Sequence, residues 1–326
     1  GLFSPPPPSS PSSPRPPPLT LYQYEVCPFC CKVKAVLDFY DVPYRVVEVS
    51  PLTKRQLNWG THRKVPVLAL GEVGKDGEAF APPPGVEVLA DSSLIISRIA
   101  AEARDAGLGP AGKGESGRSG KAAEGSSPSS WLRRHAGGGG GGAASSSPPL
   151  SPPLSKEASW RKWVDGRLVK VITVNIYRTA RESWQTFDYI SEAGDFGGVV
   201  EKSAARVAGA GMMWAIAGRL AKKYGVEGEP RAALEAAGRE WTEGALRRGD
   251  GDGEGRGEGA TSTSPDAPLA PFAGGDSPDL ADLSAFGVWR AVSKTDSFAD
   301  AMRGNDELRA WYGRVERAVG ASSRVE

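Results

Sequence analysis

Residues 19–40 read LTLYQYEVCPFCCKVKAVLDFY, and this stretch decides the fold. Its first six residues, Leu19 to Tyr24, alternate in polarity and are rich in β-forming side chains, which predicts a strand. Beyond the cysteines, apolar side chains recur at i, i+3, i+4 and i+7, the spacing of an amphipathic helix. These positions are Val33, Val36, Leu37 and Tyr40. The chain is therefore predicted to pass from a strand into a helix at the cysteines.

The segments that follow predict a small α/β domain over residues 19–103. The second segment is β-branched at its centre, and a proline stands at the entrance of the third, where a strand tolerates it. Asp91-Ser92 is typical of a capped helix start. The predicted elements are strands at Tyr44–Val49, Lys64–Leu70 and Gly85–Leu89, a short helix at Leu52–Asn58 and a helix that begins at Asp91.

Residues 156–326 contain no strand pattern of comparable strength and predict an all-α domain. Trp160, Trp163 and Leu168 stand at helical spacing, and later segments continue this periodicity. Helices are predicted at Trp160–Val169, Val199–Tyr224, Ala232–Leu246 and Glu307–Val319, with a further helix that opens at Asp279.

Three segments of biased composition flank or interrupt these domains and account for much of the 42 glycines and 27 prolines. Residues 1–18 are rich in proline and serine and are predicted to be disordered. Residues 104–155 form a low-complexity insertion that is too long for an ordinary connection. A disordered loop is predicted near residues 248–268.

Composition excludes several classes of function. The net charge is +1, which predicts no nucleic-acid partner. No run approaches the roughly 18 apolar residues of a membrane-spanning helix. The three cysteines all lie within Cys27–Cys31, which excludes a disulfide-rich secreted scaffold and favours a reducing compartment inside the cell. The chain starts with Gly1, so we expect that a targeting or anchoring segment can precede it, in an organelle or at a membrane.

The strongest chemical signal is Cys27-Pro-Phe-Cys30 at the junction of strand and helix. A thiol at a helix N-terminus faces unpaired backbone N–H groups, which favour the thiolate. Cys27 is therefore the candidate nucleophile, and Cys30, one turn away, is the candidate resolving thiol. Lys32 and Lys34 either add positive charge nearby or point into solvent.

Two other interpretations of the cysteines stay open. Zinc requires four ligands, and the remaining donors are Cys31, His62 and His135, with no second CxxC motif. The pair could also be buried and unreactive, as structural cysteines often are. Cys31 itself is interpreted as a bystander, because adjacent helical residues point in different directions.

Two further motifs suggest a ligand site. The Val65-Pro66 bond can be cis, and a cis proline in a tight turn presents backbone groups to an extended peptide, although most such bonds are trans. Asp91-Ser92 is either an ordinary helix cap or a carboxylate and hydroxyl that hold a ligand's ammonium and carboxylate groups.

In this order and at these spacings, the motifs resemble the glutaredoxin-like and glutathione S-transferase superfamily. The resemblance implies a thioredoxin-like α/β N-terminal domain and an all-α domain of the transferase type. It also implies a cis Pro66, a backbone pairing of Val65 with glutathione, and binding of the γ-glutamyl end by Asp91 and Ser92.

A closer resemblance is to the membrane-associated prostaglandin E synthase type 2 family. The segment Asp279–Leu283 resembles the N-capping box of the transferase helical domain, with the Asp279 side chain as the cap and the Asp282 side chain reaching back to the Asp279 backbone. The segments that carry it are Leu19–Tyr24, Cys27–Cys30, Asp41–Val49, Arg63–Val67, Trp160–Trp163, Asn175–Thr179, Phe187–Ile190 and Asp279–Leu283.

This resemblance implies an isomerase that converts the endoperoxide prostaglandin H into prostaglandin E with glutathione. Cys27 and Cys30 would be the catalytic thiols, and the lipid endoperoxide would lie between the domains, over Cys27. The resemblance further implies heme as a second ligand, with the Cys27 thiolate on the iron. Peripheral membrane association through a preceding segment and a homodimer are also consistent with it.

Two alternatives of a different class remain. The same CxxC motif would serve a glutaredoxin-type thiol–disulfide oxidoreductase or a glutathione transferase. The chain could also be a non-enzymatic protein that binds heme or glutathione, because a fold does not by itself determine an activity.

Overall fold

The computed structural model describes residues 19–50, 53–71, 73, 80–105, 155–193, 211, 214–215, 217–247 and 268–325. For residues 187–193 it describes the backbone alone. The predictions for residues 1–18, for most of 104–155 and for the loop near 248–268 lie outside the described residues, and so does His135.

A four-stranded mixed sheet forms the first half. Its order is β2-β1-β3-β4, with β1 and β2 parallel and the other neighbours antiparallel. Helices α1 and α2 complete the predicted thioredoxin-like domain. The elements are β1 (Leu19–Gln23), α1 (Pro28–Phe39), β2 (Tyr44–Glu48), β3 (Val67–Ala69), β4 (Val88–Ala90) and α2 (Ser92–Asp105).

Several boundaries differ from the sequence prediction. The third strand, predicted at Lys64–Leu70, is shorter and runs from Val67 to Ala69. The helix predicted at Leu52–Asn58 is a single 3-10 turn, Arg55–Leu57, because Lys54 has a left-handed φ of 52° and offers no side-chain cap. The fourth strand starts three residues late. Gly85 has a φ of 86°, and the Val86 N–H closes a turn onto the Pro83 carbonyl. The chain is therefore still turning where the strand was expected.

The second half is helical, as predicted. Three of its helices, Val169–Ile176, Ala180–Ala193 and Asp296–Gly304, were not predicted. Of the predicted Val199–Tyr224 helix, only residues 217–224 are continuously described, as helix. The elements are α3 (Lys156–Trp163), α4 (Val169–Ile176), α5 (Ala180–Ala193), α6 (Pro230–Glu240), α7 (Leu280–Arg290), α8 (Asp296–Gly304) and α9 (Asp306–Val319). Single π-helical turns follow α3 at Val164–Leu168 and α6 at Trp241–Ala245.

The N-cap of α7 confirms the predicted capping box. The Asp279 carboxylate accepts hydrogen bonds from the N–H groups of Ala281 and Asp282, and the Asp282 carboxylate accepts one from the Asp279 N–H. Asp282 is fully buried and also accepts a hydrogen bond from the Trp311 indole. These bonds fix the start of the helix that packs against α1.

Helix α1 is enclosed between the sheet domain and α7. Every residue from Cys30 to Phe39 is buried. A Cβ atom at Gly287 of α7 would lie 2.6 Å from the Cα of Lys32, so only glycine allows the two backbones to approach this closely. None of the helices that the structure describes combines the length and hydropathy that crossing a bilayer requires.

This packing corrects one sequence expectation. Lys32 and Lys34 are both buried and do not point into solvent. Lys32 pairs with Asp165 of the helical half, and Lys34 pairs with Glu25 at 2.7 Å. Both cations are retained inside the protein because each has a carboxylate partner.

Candidate functional site

The register of the sheet brings the predicted site residues to one edge. Tyr22 of β1 pairs with Val67 of β3, and Val67 pairs with Ala90 of β4. Beyond these paired residues, the cysteine loop follows the end of β1, Pro66 precedes the start of β3, and Asp91 follows the end of β4. The cysteine motif, Val65-Pro66 and Asp91-Ser92 therefore meet at the same edge.

Cys27 occupies the N-cap of α1. Its backbone is extended, its N–H donates to the Tyr24 carbonyl at 3.0 Å, and its own carbonyl accepts the N–H of Cys31 at 2.9 Å. The residue is half-buried, whereas Cys30 is fully buried. Pro28 stands in the first helical turn, where its missing N–H leaves no helical bond unmade.

The two thiols are electrostatically distinct. Interaction with the Cys30 thiol, followed by the backbone N–H groups of Cys30 and Phe29 and the Lys34 ammonium, holds the pKa of Cys27 below its ordinary value against the effect of burial. Burial, together with the interaction with Cys27, raises the pKa of Cys30 well above its ordinary value. Cys27 is therefore the more readily ionised thiol of the pair, and Cys30 holds its proton more firmly.

Tyr24 is a site residue that the sequence analysis placed only at the end of the first strand. It is half-buried, and burial, followed by the charges of Cys27, Cys30 and Glu48, raises its pKa. The phenol therefore stays protonated within electrostatic reach of both sulfurs. The signal in the sequence was its spacing, three residues before Cys27, where its carbonyl also accepts the Cys27 N–H.

The Val65-Pro66 peptide bond is cis, as the resemblance implied. Pro66 is buried and Val65 is half-buried. In the part of the chain that the structure describes, the N–H and C=O groups of Val65 make no hydrogen bond. An extended peptide could therefore pair with this backbone as an added strand.

Asp91 and Ser92 form the start of α2. Asp91 is exposed and adopts a left-handed φ of 80°, a conformation that a non-glycine residue holds only when its surroundings impose it. One oxygen of its carboxylate accepts the N–H groups of Ser93 and Leu94 at 2.8 and 3.1 Å. Ser92 is buried. The predicted cap is thus real, and it also presents a carboxylate at the edge where Val65 lies.

Cys31 lies apart from this chemistry. It is buried, its thiol donates to the Glu25 carbonyl at 3.4 Å, and burial raises its pKa. Among the residues that the structure describes, no group of three histidine, cysteine or acidic side chains could hold a metal ion.

A cavity of 1130 Å³ opens beside Cys31. Its walls include Lys34 and Arg290, whose charges are already paired with Glu25 and Asp38. The reactive thiol does not line this cavity, so the size of the cavity is no guide to where the chemistry takes place.

Comparison with known proteins identifies the relatives of this chain. The family described as glutathione S-transferase, N-terminal domain, matches residues 21–107. Prostaglandin E synthase 2 of Danio rerio is 33% identical over 309 residues, which span 92% of this chain and 71% of the relative. The Mus musculus protein of the same name is 33% identical over 314 residues, or 94% and 72% of the two chains.

Among solved structures, human glutathione transferase theta-2, in complex with glutathione and an unknown ligand, is 15% identical with a TM-score of 0.44. That alignment covers 93% of this chain and 83% of the transferase. The assignment rests on the sequence relatives, each of which matches along most of its length. The chain belongs to the prostaglandin E synthase 2 family.

Proposed function

We propose that this protein is a glutathione-dependent isomerase that converts prostaglandin H into prostaglandin E at Cys27. The observation that carries the proposal is the thiol itself. Cys27 is half-buried, holds a lowered pKa and lies at the same sheet edge as the cis Val65-Pro66 bond. The family to which the chain belongs gives the reaction class.

Glutathione is the co-substrate that this edge suits. Its cysteinyl backbone would pair with the N–H and C=O groups of Val65, which are otherwise without a partner in the described part of the chain. Its γ-glutamyl ammonium would meet the Asp91 carboxylate, and its α-carboxylate would face the N-terminus of α2 beside Ser92. These contacts would place the glutathione sulfur next to Cys27.

The reaction needs no external oxidant or reductant. The Cys27 thiolate, with glutathione bound beside it, forms a bond to one endoperoxide oxygen, and the O–O bond breaks. The other oxygen leaves as an alkoxide and takes a proton to become the hydroxyl of the product. Removal of the hydrogen on the carbon that bears the first oxygen, as a proton, then forms the carbonyl and breaks the S–O bond. The thiolate is released unchanged, so atoms and electrons balance.

Tyr24 and Cys30 are the proton-bearing groups beside this thiolate. The raised pKa values of Tyr24 and Cys30 keep both groups protonated. Either group can donate a hydrogen bond to the sulfur before the attack and to the new alkoxide after it. Such preorganised donors stabilise charge where it develops in the transition state.

Heme also suits one feature of the site. Cys27, which is half-buried and has a lowered pKa, would be the residue that holds a heme iron through its sulfur. A heme bound there would supply redox chemistry at the O–O bond, and its presence would give an absorption band between roughly 400 and 450 nm.

A second function is favoured by the spacing of the two thiols. Cys27 occupies the N-cap of α1 and Cys30 lies one helical turn further, so Cys30 is placed to resolve a mixed disulfide on Cys27. Glutaredoxin-type disulfide reduction would use this dithiol directly.

The test is turnover with glutathione on prostaglandin H and, in parallel, on a glutathione mixed disulfide. We expect Cys27→Ser to lower prostaglandin E formation by about a thousandfold or more, because the nucleophile is lost. Cys30→Ser should keep much of the isomerase activity but remove dithiol reduction.

Full isomerase activity in Cys27→Ser would overturn the proposed site. Disulfide reduction without formation of prostaglandin E would favour the oxidoreductase instead. A heme band in the purified protein without either activity would favour the non-enzymatic alternative.

A further inference from the structure

One carboxylate of the helical half reaches both helices that carry the proposed site. Asp165 is the second residue of the π-helical turn Val164–Leu168 that follows α3. It lies four residues after Arg161, and side chains at this spacing share a helix face. Single π-helical turns occur often at functional sites, because they reorient a side chain within a helix.

Asp165 and Arg161 both contact the first turns of α2. Asp165 Oδ2 accepts a hydrogen bond from Ser93 Oγ at 3.1 Å. Arg161 Nη2 donates to the Ser93 carbonyl at 3.0 Å and to Ser97 Oγ at 2.8 Å. Ser93 directly follows Ser92, so the helical half holds the turn that carries the proposed γ-glutamyl contacts.

The other oxygen of Asp165 binds α1. Asp165 Oδ1 accepts Lys32 Nζ at 2.5 Å, and the Lys32 side chain is only 1% exposed. Because Lys32 lies two residues after Cys30, its ion pair with Asp165 also holds the helix that carries the thiols. Burial lowers the pKa of Lys32, and the charge of Asp165 acts against this effect.

We propose that Asp165 is a positioning residue that fixes the first turn of α2 relative to the thiols of α1. Its hydrogen bond from Ser93 fixes the position of the neighbouring residues Ser92 and Asp91. Its ion pair with Lys32 fixes that position relative to α1 and therefore to Cys27. This inference rests on the proposed function, because the object positioned is glutathione. Asp165 acts through these neighbours and does not touch the reacting atoms.

The interface offers a matched control. Arg290 of α7 pairs with Asp38 of α1 at 3.0 Å, in the same interface but away from Asp91-Ser92. Arg290→Met removes a charged partner between the halves without touching α2. A general weakening of the interface should affect both variants alike, whereas a positioning role should appear only at Asp165.

The experiment measures the affinity for glutathione by calorimetry and the KM and kcat of the full chain with glutathione and prostaglandin H. In Asp165→Asn we expect the glutathione Kd and KM to rise about tenfold, a factor that corresponds to the free energy of one charge-assisted hydrogen bond. The kcat at saturating glutathione should change less than twofold. Asp165→Glu should recover part of the affinity, and Arg290→Met should leave it unchanged.

A second variant guards against misfolding. The double replacement Lys32→Met with Asp165→Leu removes both charges together, which buried ion pairs often tolerate. It should keep a cooperative melting transition and a normal rate of Cys27 alkylation, yet still show the raised Kd. This combination is not expected of a residue with a purely structural role.

The outcomes separate the two proposals. An unchanged glutathione Kd in a folded Asp165→Asn protein, with normal binding by the wild type, overturns the role of Asp165 alone. A wild-type protein that does not bind glutathione overturns both the role of Asp165 and the proposed function. An equal loss of affinity in Arg290→Met also overturns the positioning role, because the effect is then general to the interface.

Discussion

Among the described residues, two ion pairs join α1 to the helical half, and they differ in what surrounds them. Lys32 pairs with Asp165 beside the proposed glutathione contacts, and Asp38 pairs with Arg290 further along the same helix. In both pairs the partner on α1 is almost fully buried. The two pairs therefore share an interface and a chemistry, and differ in their neighbours.

The neighbours of Asp38 are structural. Besides Arg290, its carboxylate accepts hydrogen bonds from the Tyr44 hydroxyl at 3.1 Å, the Ser322 hydroxyl at 3.3 Å and the Ser323 N–H at 3.1 Å. The C-terminal tail is thereby fixed against β2, where the Val325 N–H also donates to the Tyr44 carbonyl. Asp165, by contrast, is about a third exposed and faces α2. One pair consolidates the fold, and the other is available to the site.

The largest effect is expected from Asp38→Ala. It leaves the Arg290 guanidinium, the Tyr44 hydroxyl and the Ser323 N–H without their shared acceptor, which should lower the free energy of unfolding by about 3 kcal/mol. The glutathione KM of the folded fraction should not change. Urea denaturation and hydrogen exchange of residues 322–325 measure the two consequences.

A stability loss from Asp38→Ala below about 1 kcal/mol would contradict this assignment, since surface ion pairs already contribute that much. Asp41→Asn is a suitable control, because Asp41 accepts a hydrogen bond from Ser323 Oγ at an exposed position and asparagine tolerates its left-handed φ of 51°. It should cost only a few tenths of a kcal/mol.

Gly287→Ala should have the next largest effect, because it strains the interface that carries both pairs. The new Cβ would lie 2.6 Å from the Cα of Lys32 and 2.7 Å from the carbonyl oxygen of Cys31, and backbone atoms cannot give way as a flexible side chain can. Moving α7 away from α1 should cost about 2 kcal/mol of unfolding free energy. Thermal denaturation measures this loss.

Gly313→Ala is the matched control for Gly287. It lies within α9, where the nearest atom to a new Cβ is the end of the Arg317 side chain at 3.5 Å. There the gain in helix propensity should dominate, so this variant should be neutral or slightly stabilising. Equal destabilisation in the two variants would show that the close approach at Gly287 is not what matters.

The sequence predicted the elements whose signals are local. The strand before the cysteines, the helix after them and the capping box at Asp279 each depend on neighbours along the chain, and all three are confirmed. The cis Val65-Pro66 bond followed from the resemblance alone. Nothing in the dipeptide distinguishes it from a trans bond.

What the sequence could not predict depends on packing across the chain. Lys32 and Lys34 look like solvent-facing residues of an amphipathic helix, but α7 covers that face of α1 and supplies the partner for neither. Asp165 comes from 133 residues further along the chain than Lys32. The spacing of Asp165 from Arg161 could be read from the sequence, but the helices that Asp165 contacts could not.

The smallest effect is expected at Lys34, whose partner Glu25 belongs to the same half. Lys34 helps to hold the pKa of Cys27 down, so Lys34→Met should raise that pKa. Because the thiolate is the reactive form, the rise in alkylation rate with pH should shift to higher pH, and so should the acid limb of kcat/KM. Lys162→Met removes an exposed lysine and should not move either curve. Asp165→Asn should not move either curve, since Asp165 acts on α2 and not on the thiol. A shift of either curve in Asp165→Asn would show that Asp165 also controls the ionisation of Cys27.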